Sequence, residues 1–258
     1  MQRKVGVSAD QLVDRGVEYR HDRLAPSRSE SHAVLEGVWH PNPIWPHQPT
    51  SEAARALSRQ GERRSKRGNG LHSPAFVHGR SPFYFLRHGE TRENRDGILQ
   101  GQSDTELTAA GKEMALSAAQ VLAEIGLGSI YASPLKRTWL TASIVAELSG
   151  LRARPMADLM ERHWGTFEGK PKATRPRLAN PETAEPIDDF SNRVTRAMDS
   201  ITGPSPTLVV AHSGVFKVIC ATLEVSGRGA RLAPGQAVTF VPPTAAKGRW
   251  RLCPLPVG

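Results

Sequence analysis

From residue 82 onward, the spacing of apolar positions along the chain switches repeatedly between the strand and helix periods. Phe83, Tyr84, Phe85 and Leu86 form an apolar run bounded by Pro82 and Gly89, which predicts a short buried strand. Gly97, Gly101 and Asp104 then mark a bent, polar loop. Thr108 reads as an N-cap, and Met114, Ala118, Val121, Leu122 and Ile125 share one helical face until Gly126 stops it. Ser129 to Ala132 predicts a second strand. Ser133 and Pro134 follow as N-cap and first residue of a helix with Leu140, Ile144, Val145 and Leu148 inward and Gly150 at its end. Residues 165–186 are rich in Gly, Pro and Lys and read as loop, and Ile187 to Ile201 reads as an amphipathic helix. Thr207 to Ala211 is continuously apolar, as a strand covered on both faces would be. Short strands near 236–241 and 248–253 complete the set. Strands alternating with helices predict an α/β domain with a mostly parallel sheet over residues 81–258.

Residues 1–80 break this pattern. They hold 13 Lys or Arg, 8 Asp or Glu and six of the nine histidines, and only 14 are Leu, Ile, Val or Phe. Pro41, Pro43, Pro46 and Pro49 oppose regular structure, and the run from Arg59 to Asn69 is basic and punctuated by glycine. We expect a disordered basic N-terminal extension, the alternative being an arm that binds nucleic acid or a membrane. Net charge over the whole chain is +9, which favours anionic partners. Two cysteines, Cys220 and Cys253, make neither a disulfide framework nor metal-ligand spacing, so a cytoplasmic setting is expected. No apolar run reaches the ~18 residues of a membrane span, and the N-terminus lacks the apolar stretch of a signal peptide.

Charge and pattern meet at the strand ends. Arg87 and His88 close the first strand, and His212 closes the apolar run at Ala211; each histidine stands near a glycine and a helix start. Arg137 lies in the first turn after the second strand, and Glu161 precedes a Gly-rich stretch. In a parallel sheet these groups converge on one edge, where ligands of such sheets bind. Two guanidiniums, two imidazoles and a carboxylate beside helix N-termini describe a phosphoryl site.

The motifs resemble those of the histidine phosphatase superfamily, whose fold is shared with cofactor-dependent phosphoglycerate mutases. They stand as Leu86-Arg87-His88-Gly89-Glu90-Thr91 with Asn94, then Gly101, Asp104 and Leu107-Thr108-x-x-Gly111. Ser133-Pro134-Leu135-Lys136-Arg137-Thr138, then Glu161 with Gly165 and Gly169, and Ala211-His212-Ser213-Gly214 complete the series in the family's order. The resemblance implies a three-layer α/β/α sandwich and a small phosphorylated substrate rather than nucleic acid or a membrane. It implies chemistry that needs neither metal nor cofactor. It makes His88 the nucleophile and Glu161 the proton donor, with Glu168 as the alternative donor. Arg87, Arg137 and His212 would clamp the phosphoryl group, with Asn94, Gln100 and Gly101 beside it. His163 and Trp164 would pack locally or edge the substrate, and Cys220 would be core.

Two departures separate the chain from the mutase pattern. Gly214 stands where a mutase carries asparagine, and the stretch from Glu161 to His212 is shorter than one holding a mutase lid. Both favour hydrolysis of a phosphomonoester. The string Glu161-Arg162-His163-Trp164-Gly165 echoes the mutase version and keeps phosphotransfer as the alternative, with a non-catalytic phosphate-binding relic as a third reading.

Overall fold

A computed structural model describes residues 81–175, 181–225, 231–244 and 248–256. The expected N-terminal extension over 1–80 lies outside the described residues. Six strands form one mixed sheet: β1 (Phe83–Arg87), β2 (Ser129–Ala132), β3 (Ala153–Pro155), β4 (Thr207–Ala211), β5 (Ala237–Val241) and β6 (Arg251–Pro254). Their order is β3-β2-β4-β1-β5-β6. The first four run parallel; β5 pairs antiparallel with β1, and β6 antiparallel with β5. β3 is only three residues long and half exposed, too short to show a period, and the sequence pattern passes over it.

Both faces of the sheet are covered, which explains the unbroken apolar runs. On one side Leu86, Ile130, Leu208 and Val210 pack beneath α2 (Ala109–Ala123) and α3 (Lys136–Ser149). On the other, Phe85, Tyr131, Val209 and Ala211 pack beneath α4 (Ile187–Asp199) and α5 (Ser213–Thr222). Alternate residues of β1, β2 and β4 thus supply two separate cores, and the architecture is the expected three-layer α/β/α sandwich. Phe83 and Phe240 stack at 4.6 Å across the β1–β5 pair. Cys220 packs against the second core, and burial pushes its thiol up to about 12. Among the described residues no helix is long and apolar enough to cross a membrane.

Two sequence expectations need correction. The Met114 side chain lies on the outer face, 36% exposed; α2 buries Ala118 and Leu122 as expected, together with Ala115, Leu116 and Ala119. The buried face turns toward Ala115 and Ala119 and away from Met114. Ser133 and Pro134 do not open α3, which starts at Lys136. The Ser133 hydroxyl is committed to His212, and Asp104 from a distant loop accepts the Lys136 N–H at 2.7 Å, so the cap comes from outside the helix. The polar stretch after Thr91 is a short helix, α1 (Arg92–Arg95), closed by a reciprocal Thr91–Asn94 capping box.

Gly89 marks the tightest crossing near the site. A Cβ there would collide with the Gly111 carbonyl in the first turn of α2, with the Gly111 Cα only 3.2 Å away. The loop after β1 and the start of α2 are pressed backbone to backbone. Gly89→Ala should therefore lower the urea midpoint by the equivalent of roughly 1–3 kcal/mol, the usual cost of overpacking. An unchanged midpoint would show that the two segments separate freely.

Candidate active site

β1 and β4 are neighbours, so their carboxyl ends bring His88 and His212 together with ring centroids 5.3 Å apart. The His88 backbone N–H donates to the Ala211 carbonyl at 3.2 Å, which extends the ladder to the last residue before the second histidine. Both imidazoles are almost completely buried. Burial first, then the charges of Arg137 and Arg87, hold His88 well below the usual imidazole range. Burial, then Arg137, the His88 ring and Arg87, do the same to His212.

The tautomer of His88 follows from its partner. Nδ1 lies 2.7 Å from the Gly89 carbonyl, which can only accept, so the neutral ring carries its proton on Nδ1. Its lone pair is then on Nε2, the atom of the ring able to act as a nucleophile. His212 Nε2 bonds the Ser133 hydroxyl at 2.9 Å, with Ser133 following the end of β2, while His212 Nδ1 is buried without a partner.

Arg137 is 1% exposed, and burial pushes its guanidinium down to about 10, still a cation at neutral pH. Nη1 donates to the Ser103 carbonyl and Nη2 to the Gly101 carbonyl, both at 2.8 Å. Arg87 Nη1 donates to the Leu232 carbonyl at 2.7 Å. Both arginines are thus fixed by main-chain oxygens and leave Nε unpaired. Of five buried polar side-chain atoms without a partner among the described residues, three are Arg87 Nε, Arg137 Nε and His212 Nδ1. Such groups cost free energy in isolation, and here they gather around one imidazole.

Glu161 lines the same cavity, which measures about 1140 Å³. Its carboxylate accepts from Arg162 N and from Gly214 N at the start of α5, both at 2.9 Å. A Cβ at position 214 would run into that carboxylate. Glycine at this position is what lets the carboxylate reach the start of α5. Glu168, the alternative donor, is occupied elsewhere. It accepts from Gln102 N, Ser103 N, Ser103 Oγ and Trp164 N at 2.8–3.0 Å, and it does not line the cavity. It ties the 102–103 loop, which feeds Arg137, to the segment after Glu161.

A family model for the histidine phosphatase superfamily (branch 1) matches residues 83–236. The chain belongs to that superfamily. The probable phosphoglycerate mutase GpmB of Escherichia coli is 33% identical over 158 residues, spanning 54% of this chain and 73% of that protein. Among solved structures, mycobacterial glucosyl-3-phosphoglycerate phosphatase with VO3 is 27% identical, with a TM-score of 0.57 over 69% of this chain and 99% of that one. A phosphoglycerate mutase from Thermus thermophilus is also 27% identical, with a TM-score of 0.54 over 69% and 100%. This superfamily of phosphatases and phosphotransferases makes the protein a phosphoryl-transfer enzyme.

The remaining expected site residues fall in the same place. Asn94, Gln100 and Gly101 line the cavity. The Asn94 side chain accepts from Thr91 N in the capping box, and Gln100 Oε1 accepts from Thr105 Oγ1 at 2.7 Å. Trp164 is buried, with the Arg162 and Arg175 guanidiniums 4.4 and 5.3 Å from its ring centre, whereas the His163 side chain is half exposed. Sequence reasoning gave Ser133 a capping role and had no signal for Leu232, whose contribution is a backbone carbonyl. Among the described residues no group of three or more His, Cys, Asp or Glu side chains could hold a metal.

The buried imidazoles carry a pH signature. Each is neutral in the fold and gains a proton on unfolding, so below about pH 6.5 the unfolded chain binds more protons than the native one. Stability is then complete above that pH and falls beneath it, by on the order of 1.4 kcal/mol per pH unit for each histidine. Thermal unfolding in phosphate-free buffer should show a lower midpoint at pH 5 than at pH 7, with a shallower slope for His212→Asn. A midpoint independent of pH across this range would contradict the burial of neutral rings.

Proposed function

We propose that the protein is a phosphomonoesterase that works through a phosphohistidine at His88 on a small phosphorylated substrate. The observation that carries this reading is the set of unpaired buried atoms on Arg87, Arg137 and His212 around a ring whose Nε2 lone pair is free. A phosphoryl group would supply the missing acceptors for the guanidiniums, and the fork geometry of guanidinium suits its oxygens.

In the first step His88 Nε2 attacks phosphorus, the bond from phosphorus to the ester oxygen breaks, and protonated Glu161 gives its proton to the departing alkoxide. The ring gains positive charge as the new bond forms, and its Nδ1–H stays on the Gly89 carbonyl. Arg87 and Arg137 balance the charge spread over the phosphoryl oxygens. In the second step the Glu161 carboxylate takes a proton from water. The oxygen bonds to phosphorus, the P–N bond breaks, and inorganic phosphate and neutral His88 are restored.

Gly214 and the short stretch to His212 support hydrolysis over transfer. A mutase must hold an acceptor over the phosphohistidine and exclude water. Lys172 and Arg175 line the cavity and offer cations toward a second anionic group, while Lys170 and Arg177 belong to the same segment. Arg177 lies outside the described residues. The similarity to GpmB and to the Thermus mutase favours the phosphotransfer alternative. The likeness to the glucosyl-3-phosphoglycerate phosphatase and a cavity larger than a three-carbon substrate needs both favour the hydrolase. Two unpaired cysteines fit a reducing, cytoplasmic setting.

Two measurements test this. Brief exposure to labelled phosphomonoester should leave label on the protein that survives alkali and is lost in acid, and His88→Ala should abolish both label and turnover. With 3-phosphoglycerate and catalytic 2,3-bisphosphoglycerate, phosphate release should outrun 2-phosphoglycerate formation. Rapid 2-phosphoglycerate formation without phosphate release would assign the protein as a mutase.

A further inference from the structure

The acid–base carboxylate stands on a segment without regular hydrogen-bonded structure of its own. Residues 160–164 belong to no helix or strand, yet Glu161 has to reach both a leaving oxygen and a water at fixed distance from phosphorus. Gln102 Nε2 donates to the Glu161 carbonyl at 3.0 Å and Glu168 accepts from Trp164 N, but most of the contacts that hold the segment come from one side chain of α4. Arg193 uses all five of its N–H donors. Nε and Nη2 grip the Glu185 carboxylate at 2.6 and 2.9 Å. Nη1 donates to the Asp158 and Met160 carbonyls at 2.9 and 2.7 Å, and Nη2 donates to the carbonyl of Glu161 itself at 2.9 Å.

Glu185 completes the clamp from the other side. Its carboxylate accepts from His163 N at 3.1 Å, its backbone N–H donates to the His163 carbonyl, and its own carbonyl accepts from Arg162 Nε at 2.8 Å. The Arg193 and Glu185 side chains are only 11% and 15% exposed, and the Phe190 ring lies 4.8 Å from the guanidinium. An exposed ion pair would contribute little, whereas this one is shielded and geometrically saturated. Neither residue lies among the motifs that mark the site in the sequence, and Arg193 does not line the cavity.

We propose that Arg193, with Glu185 as its counter-ion, is the positioning residue for the Glu161 carboxylate. The proposal rests on the assignment of Glu161 as proton donor. Arg193 fixes the main chain on either side of Glu161, while the Gly214 and Arg162 N–H groups fix its carboxylate. The His88 ring is held by the Gly89 carbonyl and Arg137 by the Gly101 and Ser103 carbonyls, none of which Arg193 contacts, so loss of Arg193 acts on proton transfer and spares His88.

Leaving-group dependence isolates that effect. Phosphohistidine formation is followed by rapid quench in the full-length protein with 4-nitrophenyl phosphate, whose phenolate leaves without a proton, and with phenyl phosphate, which needs one. Arg193→Lys keeps the charge but cannot make five fixed contacts. It should slow labelling from phenyl phosphate by roughly ten- to a hundredfold, a sizeable part of what general acid catalysis supplies, and change labelling from 4-nitrophenyl phosphate by less than about twofold. Glu185→Gln should shift the ratio in the same direction, and Glu161→Gln should show the full effect. Equal losses with both substrates would reduce Arg193 to a general stabiliser and overturn the proposal, as would no loss with either. A normal Glu161→Gln with an impaired Arg193→Lys would remove Glu161 from the mechanism. Absence of label in the unaltered protein would overturn the phosphohistidine reading itself.

Discussion

Two guanidinium groups buried at the carboxyl edge of a parallel sheet set the terms for everything around them. A cation out of water must be given oxygen atoms, and Arg137 takes the Gly101 and Ser103 carbonyls while Arg87 takes that of Leu232. Those carbonyls come from loops, so the loops must be pinned. Glu168 pins the 102–103 loop through its backbone N–H groups, and Asp104 of the same loop caps α3, the helix that carries Arg137. The arginine therefore orders the loop that satisfies it, and that loop in turn fixes the start of the arginine's own helix. The same two charges help keep the two imidazoles neutral, which leaves His88 with a lone pair to use.

The parts of this arrangement that repeat along the chain were legible in the sequence. β1 and β4 are apolar on both faces because helices cover both, and each ends in a histidine at the sheet edge; the run of residue types states this directly. Arg87, His88, Arg137, Glu161 and His212 do meet in one cavity. What escaped the reading depends on contacts between segments far apart in sequence. Asp104 caps a helix 32 residues away, and Arg193 reaches a carbonyl 32 residues before it. No periodicity marks such contacts. Ser133-Pro134 has the composition of a helix start, but its hydroxyl found a better use at His212. Local preference yielded to a tertiary partner, as it does when a buried polar group needs one.

Glu161 and Glu168 show why composition alone left the proton donor open. Both are glutamates in one Gly-rich stretch, and nothing in their spacing separates them. Their partners do. Glu168 accepts four hydrogen bonds within the loops, which commits its oxygens to structure. Glu161 accepts two and faces the cavity. The missing side chain at Gly214 belongs to the same logic, since a Cβ there would collide with the Glu161 carboxylate.

The candidate site consequently draws on two sets of supports, which meet where Gln102 and Glu168 join the 102–103 loop to the segment of Glu161. His88, Arg87 and Arg137 are fixed by the sheet, by α3 and by backbone carbonyls, while Glu161 is fixed by α4 and the start of α5. Much of the remaining cavity wall comes from the segment after Glu161 and from the facing surfaces of α4 and α5, none of which carries His88. Changes there can alter which molecule is bound while His88, Arg87 and Arg137 stay in place, because those three are held by the sheet and by backbone carbonyls. That division of supports gives a physical reason why one arrangement of histidines and arginines can stand in a superfamily of both phosphatases and phosphotransferases.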